Sequence, residues 1–220
     1  MSYPSLLSVA YLPPVEYFSV LVNSSHARIE QKENFRKQSY RNRTCILTAN
    51  GPQSLSIPVK HTDIRKNIRE VRIDYATDWQ LNHRRALEAA YNNSPYFLFY
   101  KDYFYPFYEK RYEFLFDYNM DILNVVMKFL NISTPPEFTE EFGKEYPAEY
   151  DFRDSIHPKR SVMAEYPLRS KLSYPQVFQV KFGFVPNLSV IDLLFNLGNE
   201  SRNHIDELGK FTPLFQQEPD

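Results

Sequence analysis

Eleven consecutive residues, Glu33-Asn-Phe-Arg-Lys-Gln-Ser-Tyr-Arg-Asn-Arg43, form the densest group of anion-capable side chains in the chain. In an extended segment, alternate side chains share a face. Lys37, Ser39, Arg41 and Arg43 would then lie on one side, and Gln38, Tyr40 and Asn42 on the other. Same-face neighbours sit about 7 Å apart. Two guanidinium groups at that spacing can each grip an oxygen pair of a phosphate or carboxylate. The segment reads as an anion-binding strand. The competing reading is an edge strand guarded by charges. Spacing alone favours the guarded edge, because charge runs usually face water.

His83 stands four residues after Trp79 and four before Leu87, on or beside one helical stripe. An imidazole titrates near neutral pH and suits general acid–base work. The plainer reading is a hydrogen-bonded histidine at the core boundary. His26, His61, His157 and His204 show no ligand spacing, so no metal is expected. There is no Gly-x-Ser-x-Gly elbow. Cys45 lies among apolar strand residues, where a buried inert thiol is expected. Asp192 follows Ser189 at capping-box spacing and reads as a cap before it reads as a base. From Tyr96 to Tyr118, 13 of 23 residues are aromatic. Such rings can stack on sugars or bases, but an aromatic core between helices explains them with less.

The elements that must position these residues are short. Residues 5–10 read as a strand and 15–23 as a helix after Pro13-Pro14. Thr44–Thr48 and Ser54–Val59 are β-rich runs, and the Asn50-Gly51 pair between them signals a hairpin. Glu70–Asp74 alternates as a half-buried strand does. Helices are expected over 78–92, capped by Thr77, after Ser94-Pro95, over 117–130, and from Ser189 to Gly198. Strands first and helices after give an α+β class: an antiparallel β-rich N-terminal part packed on a C-terminal helical part. The chain reads as one domain over 1–220, with sub-parts 1–133 and 155–220 joined by the acidic, proline-bearing stretch 134–154.

Composition narrows the function. The 220 residues are 43% hydrophobic and 24% charged, as in a soluble globular chain. Lys+Arg is 26 and Asp+Glu 27, a net charge of −1, which argues against a nucleic acid or membrane surface as a global partner. Residues 28–72 carry 11 basic and 4 acidic side chains, yet no RNP or GXXG pattern supports RNA binding. The five glycines are scattered, so neither a Rossmann fingerprint nor a Walker A loop is present. One cysteine excludes an intrachain disulfide. The proline-broken start lacks a basic region, so no signal peptide is expected, and no run nears the ~18 residues of a membrane span. A cytoplasmic location, without cofactor, is the expectation.

Six blocks in order resemble the WbqC-like proteins: Ala10-Tyr-Leu-Pro-Pro-Val-Glu-Tyr-Phe18, Lys37-Gln-Ser-Tyr-Arg-Asn-Arg43, Leu55-Ser-Ile-Pro-Val59, Trp79-x-x-x-His83, Ser94-Pro-Tyr-Phe97 and Pro186-Asn-Leu-Ser-Val-Ile-Asp-Leu-Leu-Phe-Asn196. The resemblance runs from about residue 8 to 200. It implies a place in O-antigen or other surface-polysaccharide synthesis. It further implies glycine or acyl transfer to an amino sugar, the substrate being an anionic, nucleotide-linked or phosphorylated sugar. On that reading His83 is the base, Lys37, Arg41 and Arg43 grip phosphate, and Asn42 donates to substrate. Tyr11, Tyr40 and Trp79 are further substrate contacts. The alternative is a non-enzymatic protein that binds a small ligand in the same pocket. Both readings require Arg41, Arg43 and His83 to converge on one concave pocket.

Overall fold

The computed structural model describes residues 4–24, 26–159 and 173–210. The chain opens with a β-α-β unit of β1 (Ser5–Ser8), α1 (Val15–Asn23) and β2 (Ala27–Glu30). β1 and β2 run parallel, Ser5 opposite Ala27 and Ser8 opposite Glu30. Strands of this kind are covered on both faces, and all four residues of β1 are buried. The expected hairpin follows. β3 (Arg43–Thr48) and β4 (Gly51–Ser56) pair antiparallel, from Arg43 opposite Ser56 to Thr48 opposite Gly51. Ala49 and Asn50 make the turn, and Gly51 opens β4 at φ 103, a backbone state open to glycine at little cost.

β5 (Glu137–Phe138) then adds to β2 in parallel, giving the order β1-β2-β5. The main sheet is therefore parallel, and only the hairpin matches the antiparallel expectation. The helical crossover through α1 returns the chain to the same end, so the next strand must run the same way. The stretch 134–154 supplies β5 and is stitched down beyond it, where the Phe152 N–H donates to the Leu6 carbonyl at 2.9 Å. Residues 70–74 form no ladder. A 3-10 turn at Ile68–Glu70 leads into isolated bridges, Val59 with Ile73 and Arg72 with Phe114. Their alternation reflects the burial of Val71 and Ile73, not strand pairing. The molecule is thus mixed α/β with a small antiparallel hairpin.

The expected helices are present as α2 (Trp79–Tyr91), α3 (Phe97–Phe104) and α4 (Leu115–Phe129), followed by the short α5 (Gln179–Phe182), α6 (Val190–Leu197) and α7 (Ser201–Gly209). α2 buries Trp79, His83, Leu87, Ala90 and Tyr91, the stripe of an amphipathic helix. Neither Thr77 nor Ser94 is an N-cap, those positions being Asp78 and Tyr96. The aromatic run packs inward. The rings of Tyr91, Phe97 and Phe104 lie 5.1, 5.3 and 5.8 Å from that of Phe195 on α6, mostly edge to face as ring quadrupoles prefer. α6 is buried almost all round and ends at Gly198 as expected, with φ 57. A side chain there would stand 2.7 Å from the Tyr96 ring.

Ser189 holds the N-cap position of α6 as expected, but its side chain makes no capping bond. Its hydroxyl donates to the Leu12 carbonyl at 3.0 Å. Asp192, 1% exposed, instead anchors a polar knot. It accepts from the Tyr91 and Tyr174 hydroxyls at 2.9 and 2.8 Å and from Gln176 Nε2 at 3.2 Å. Burial pushes its carboxyl up to about 6. Truncation orphans two buried hydroxyls and removes one of the two bonds of Gln176 Nε2. Asp192→Ala is expected to cost about 2–4 kcal/mol of unfolding free energy, read from urea denaturation.

Candidate functional site

Two stretches of chain, 35–43 and 56–64, lie side by side and part to leave a cleft of about 350 Å³. They are tied at both ends. At one, Arg43 faces Ser56 and the Ile57 N–H donates to the Asn42 carbonyl at 2.8 Å. At the other, the Phe35 N–H donates to Lys66 and the Ile68 N–H to Glu33, each at 2.9 Å. Gln38 adopts φ 59. A left-handed residue cannot continue an extended run, so the predicted strand over 37–43 is a turn-rich loop and β3 starts only at Arg43.

Lys37, Gln38, Asn42, Arg43, Ser56 and His61 form the polar lining, and Phe35, Val59 and Ile64 the apolar part. No carboxylate lines the cleft among the described residues. Asp63, two residues from His61, is fully buried and turned away, with Arg72 Nε and Lys66 Nζ each 2.8 Å from it. These cations hold its carboxyl well below the usual range. Arg43 Nε donates to Ser56 Oγ at 3.2 Å, which fixes the stem. The rest of that guanidinium and the Lys37 ammonium have no protein partner among the described residues. Asn42 Nδ2 donates to the Ile57 carbonyl at 2.8 Å. That bond uses one amide hydrogen and braces the wall; the second hydrogen and the amide oxygen have no protein partner among the described residues.

Arg41 does not share this face. Its Nε lies 2.9 Å from Glu33 Oε1, and a second nitrogen meets Glu33 Oε2. The two side chains are 3% and 5% exposed. The main chain around it is held too: the Tyr40 carbonyl accepts the Tyr11 N–H at 2.8 Å, and the Arg41 carbonyl accepts Asn119 Nδ2 at 2.8 Å. Tyr40 itself is 6% exposed. With the loop turned at Gln38, Arg41 points inward and Arg43 outward, so the expected pairing of the two guanidiniums is absent.

Tyr11, Trp79 and His83 do meet, but in the core. The Tyr11 and Trp79 rings lie 5.8 and 5.1 Å from the imidazole. His83 Nδ1 is 3.1 Å from the Tyr11 hydroxyl, which is 3.0 Å from the Tyr108 hydroxyl. The Ser56 main chain lies close to the ring and partly offsets the effect of its burial. Burial lowers the imidazole to about 4, and it is neutral. His83 sits on the buried stripe of α2, so packing that stripe turns it away from the cleft. It is not among the residues that line the cleft.

Sequence reading missed His61, Ser56 and the apolar end. One signal was available. Extending the hairpin register outward from Arg43–Ser56 sets Gln38 opposite His61, and both line the cleft.

The fold and cleft define a mixed α/β protein with a basic surface pocket beside its hairpin. The chain belongs to the WbqC-like protein family, whose model matches residues 9–152 and 143–204 and so spans both walls. It is 29% identical over 219 residues to Uncharacterized protein Rv1507c of Mycobacterium tuberculosis, covering 89% of this chain and 94% of that one. No solved structure matches. Among the described residues, no helix is long and apolar enough to cross a membrane.

Two outcomes are expected. The unfolded chain protonates His83 near its ordinary 6.5 and the native chain only near about 4. Its contribution to stability is therefore lost as pH falls across that interval, by about 1.4 kcal/mol per unit. His83→Phe should gain about 3 kcal/mol relative to the parent between pH 7 and pH 4 in urea melts, whatever its constant offset. Glu33→Ala strands a buried guanidinium and should cost about 3–5 kcal/mol, while Glu33→Leu with Arg41→Met should recover most of it.

Proposed function

We propose that this protein binds a phosphorylated or nucleotide-linked sugar in the cleft between 35–43 and 56–64, within surface-polysaccharide synthesis. The observation that carries the reading is the lining: Lys37, Arg43 and His61 with no carboxylate among the described residues. Three potential cations in one concavity favour a multiply charged anion. The volume lies within the range of small-molecule sites, about 300–1,000 Å³. Membership of the WbqC-like family supports the polysaccharide setting.

The reaction on that ligand is glycyl or other acyl transfer to the amine of an amino sugar. The amine attacks an activated acyl carbonyl, the C–N bond forms, the bond to the leaving group breaks, and the amine gives up a proton. His61 is the imidazole that lines the cleft and is placed to take it. His83, 4% exposed, is a core residue bonded to the Tyr11 hydroxyl and does not line the cleft. That burial also favours the second reading, a binding protein without chemistry. In that case the bound sugar is recovered chemically unmodified from the parent and from His61→Gln alike.

Arg43→Ala should weaken a nucleotide sugar by about 1–3 kcal/mol, roughly 5- to 150-fold in Kd, in calorimetric titration at low salt. Added salt should narrow the gap as it screens an exposed charge. Equal affinity for parent and variant contradicts the site.

A further inference from the structure

The cleft has a direction. At the end where Arg43 faces Ser56, the lining is polar, with a guanidinium, a hydroxyl and the Asn42 amide oxygen. At the end where the Phe35 N–H bonds Lys66, the lining is the Phe35 ring and the Ile64 side chain. Lys37 and His61 fall between, with Val59 beneath them in the chain order of the second wall. Both ends are closed by main-chain hydrogen bonds, so the cleft is a trough bounded in length.

A ligand complementary to this trough is charged at one end and flat and apolar at the other. A bare pyrophosphate or a sugar phosphate would satisfy the cations and leave the half-buried Val59 and Ile64, with the edge of the 5% exposed Phe35, uncovered. A long acyl chain would outrun three apolar side chains. Resting on the anion-binding reading above, we propose that the trough takes the nucleoside diphosphate part of its ligand lengthwise. The base lies against Ile64, beside the exposed edge of Phe35, and the phosphates on Lys37 and the free edge of the Arg43 guanidinium. A sugar carried on the distal phosphate leaves through the open face of the trough, where His61 stands in the lining. No glycine-rich phosphate loop takes part: the five glycines are dispersed, and none lines the cleft. Recognition is by side-chain cations and an apolar shelf.

The test is calorimetric titration of the full chain at low salt with UDP, GDP, CDP, ADP, the matching nucleosides, inorganic pyrophosphate and glucose 1-phosphate. At least one nucleoside diphosphate should bind about tenfold or more tighter than pyrophosphate and glucose 1-phosphate, the worth of one well-buried apolar group. Ile64→Ser, its fold checked by thermal melt, should erase that advantage and leave pyrophosphate binding unchanged. Arg43→Ala should weaken both. If pyrophosphate or glucose 1-phosphate binds as tightly as every nucleoside diphosphate, and Arg43→Ala still weakens it, the anion site stands and the nucleotide assignment is overturned. If no anion binds, or Arg43→Ala changes nothing, the anion-binding reading itself fails.

Discussion

The side chains of Arg41 and Glu33 are sealed from water at 3% and 5% exposure, and the shape of the cleft depends on their pairing. A guanidinium in that position is tolerated only with a matched carboxylate, because either charge left alone would be strongly destabilising. The pair spans eight residues and closes the 33–41 segment into a loop. Lys37 and Gln38 sit on that loop, and Asn42 and Arg43 follow it directly into β3. The pairing therefore converts a string of charges into one inward arginine and three outward cations, of which Arg36 pairs with Asp154 and Lys37 and Arg43 line the cleft. A buried ion pair is weak evidence for stability, but a defensible device for fixing one conformation.

A second constraint joins the rest of the frame. Leu12 holds φ 41 immediately before Pro13, a costly state for a non-glycine residue. Its carbonyl accepts the Thr44 hydroxyl at 2.7 Å and the Ser189 hydroxyl at 3.0 Å. The loop after β1, the start of β3 and the head of α6 are locked at this one oxygen. Four residues on, Glu16, 2% exposed and pushed up to about 8 by burial, leaves Oε1 without a partner among the described residues. The signature blocks around residues 10–18, 40–45 and 186–192 meet here, and their work in this molecule is largely to hold the frame from which the cleft hangs.

Much of the fold was legible because it is local. The 15–23 helix, the hairpin flanking Asn50-Gly51 and the Gly198 terminus are written in runs of a few residues. The parallel sheet was not, because β5 is two residues long and lies in an acidic stretch with no β pattern. The site was half legible. Residue type marked the 33–43 segment and its charges, and Lys37, Asn42 and Arg43 do line the cleft. Which arginine faces outward depends on one left-handed residue, Gln38, and on a carboxylate eight residues before Arg41. Alternation cannot encode either. His83 was assigned by chemistry and lies by packing in the core, since helical spacing gives a stripe and not the side it faces.

The most direct measurement is a crystal structure of the full chain with a nucleoside diphosphate bound. The account predicts phosphate oxygens on the Arg43 guanidinium and the Lys37 ammonium, the base against Ile64, and Arg41 still paired with Glu33. Density for the ligand elsewhere on the molecule, or Arg41 released from Glu33 to reach the phosphates, would contradict it.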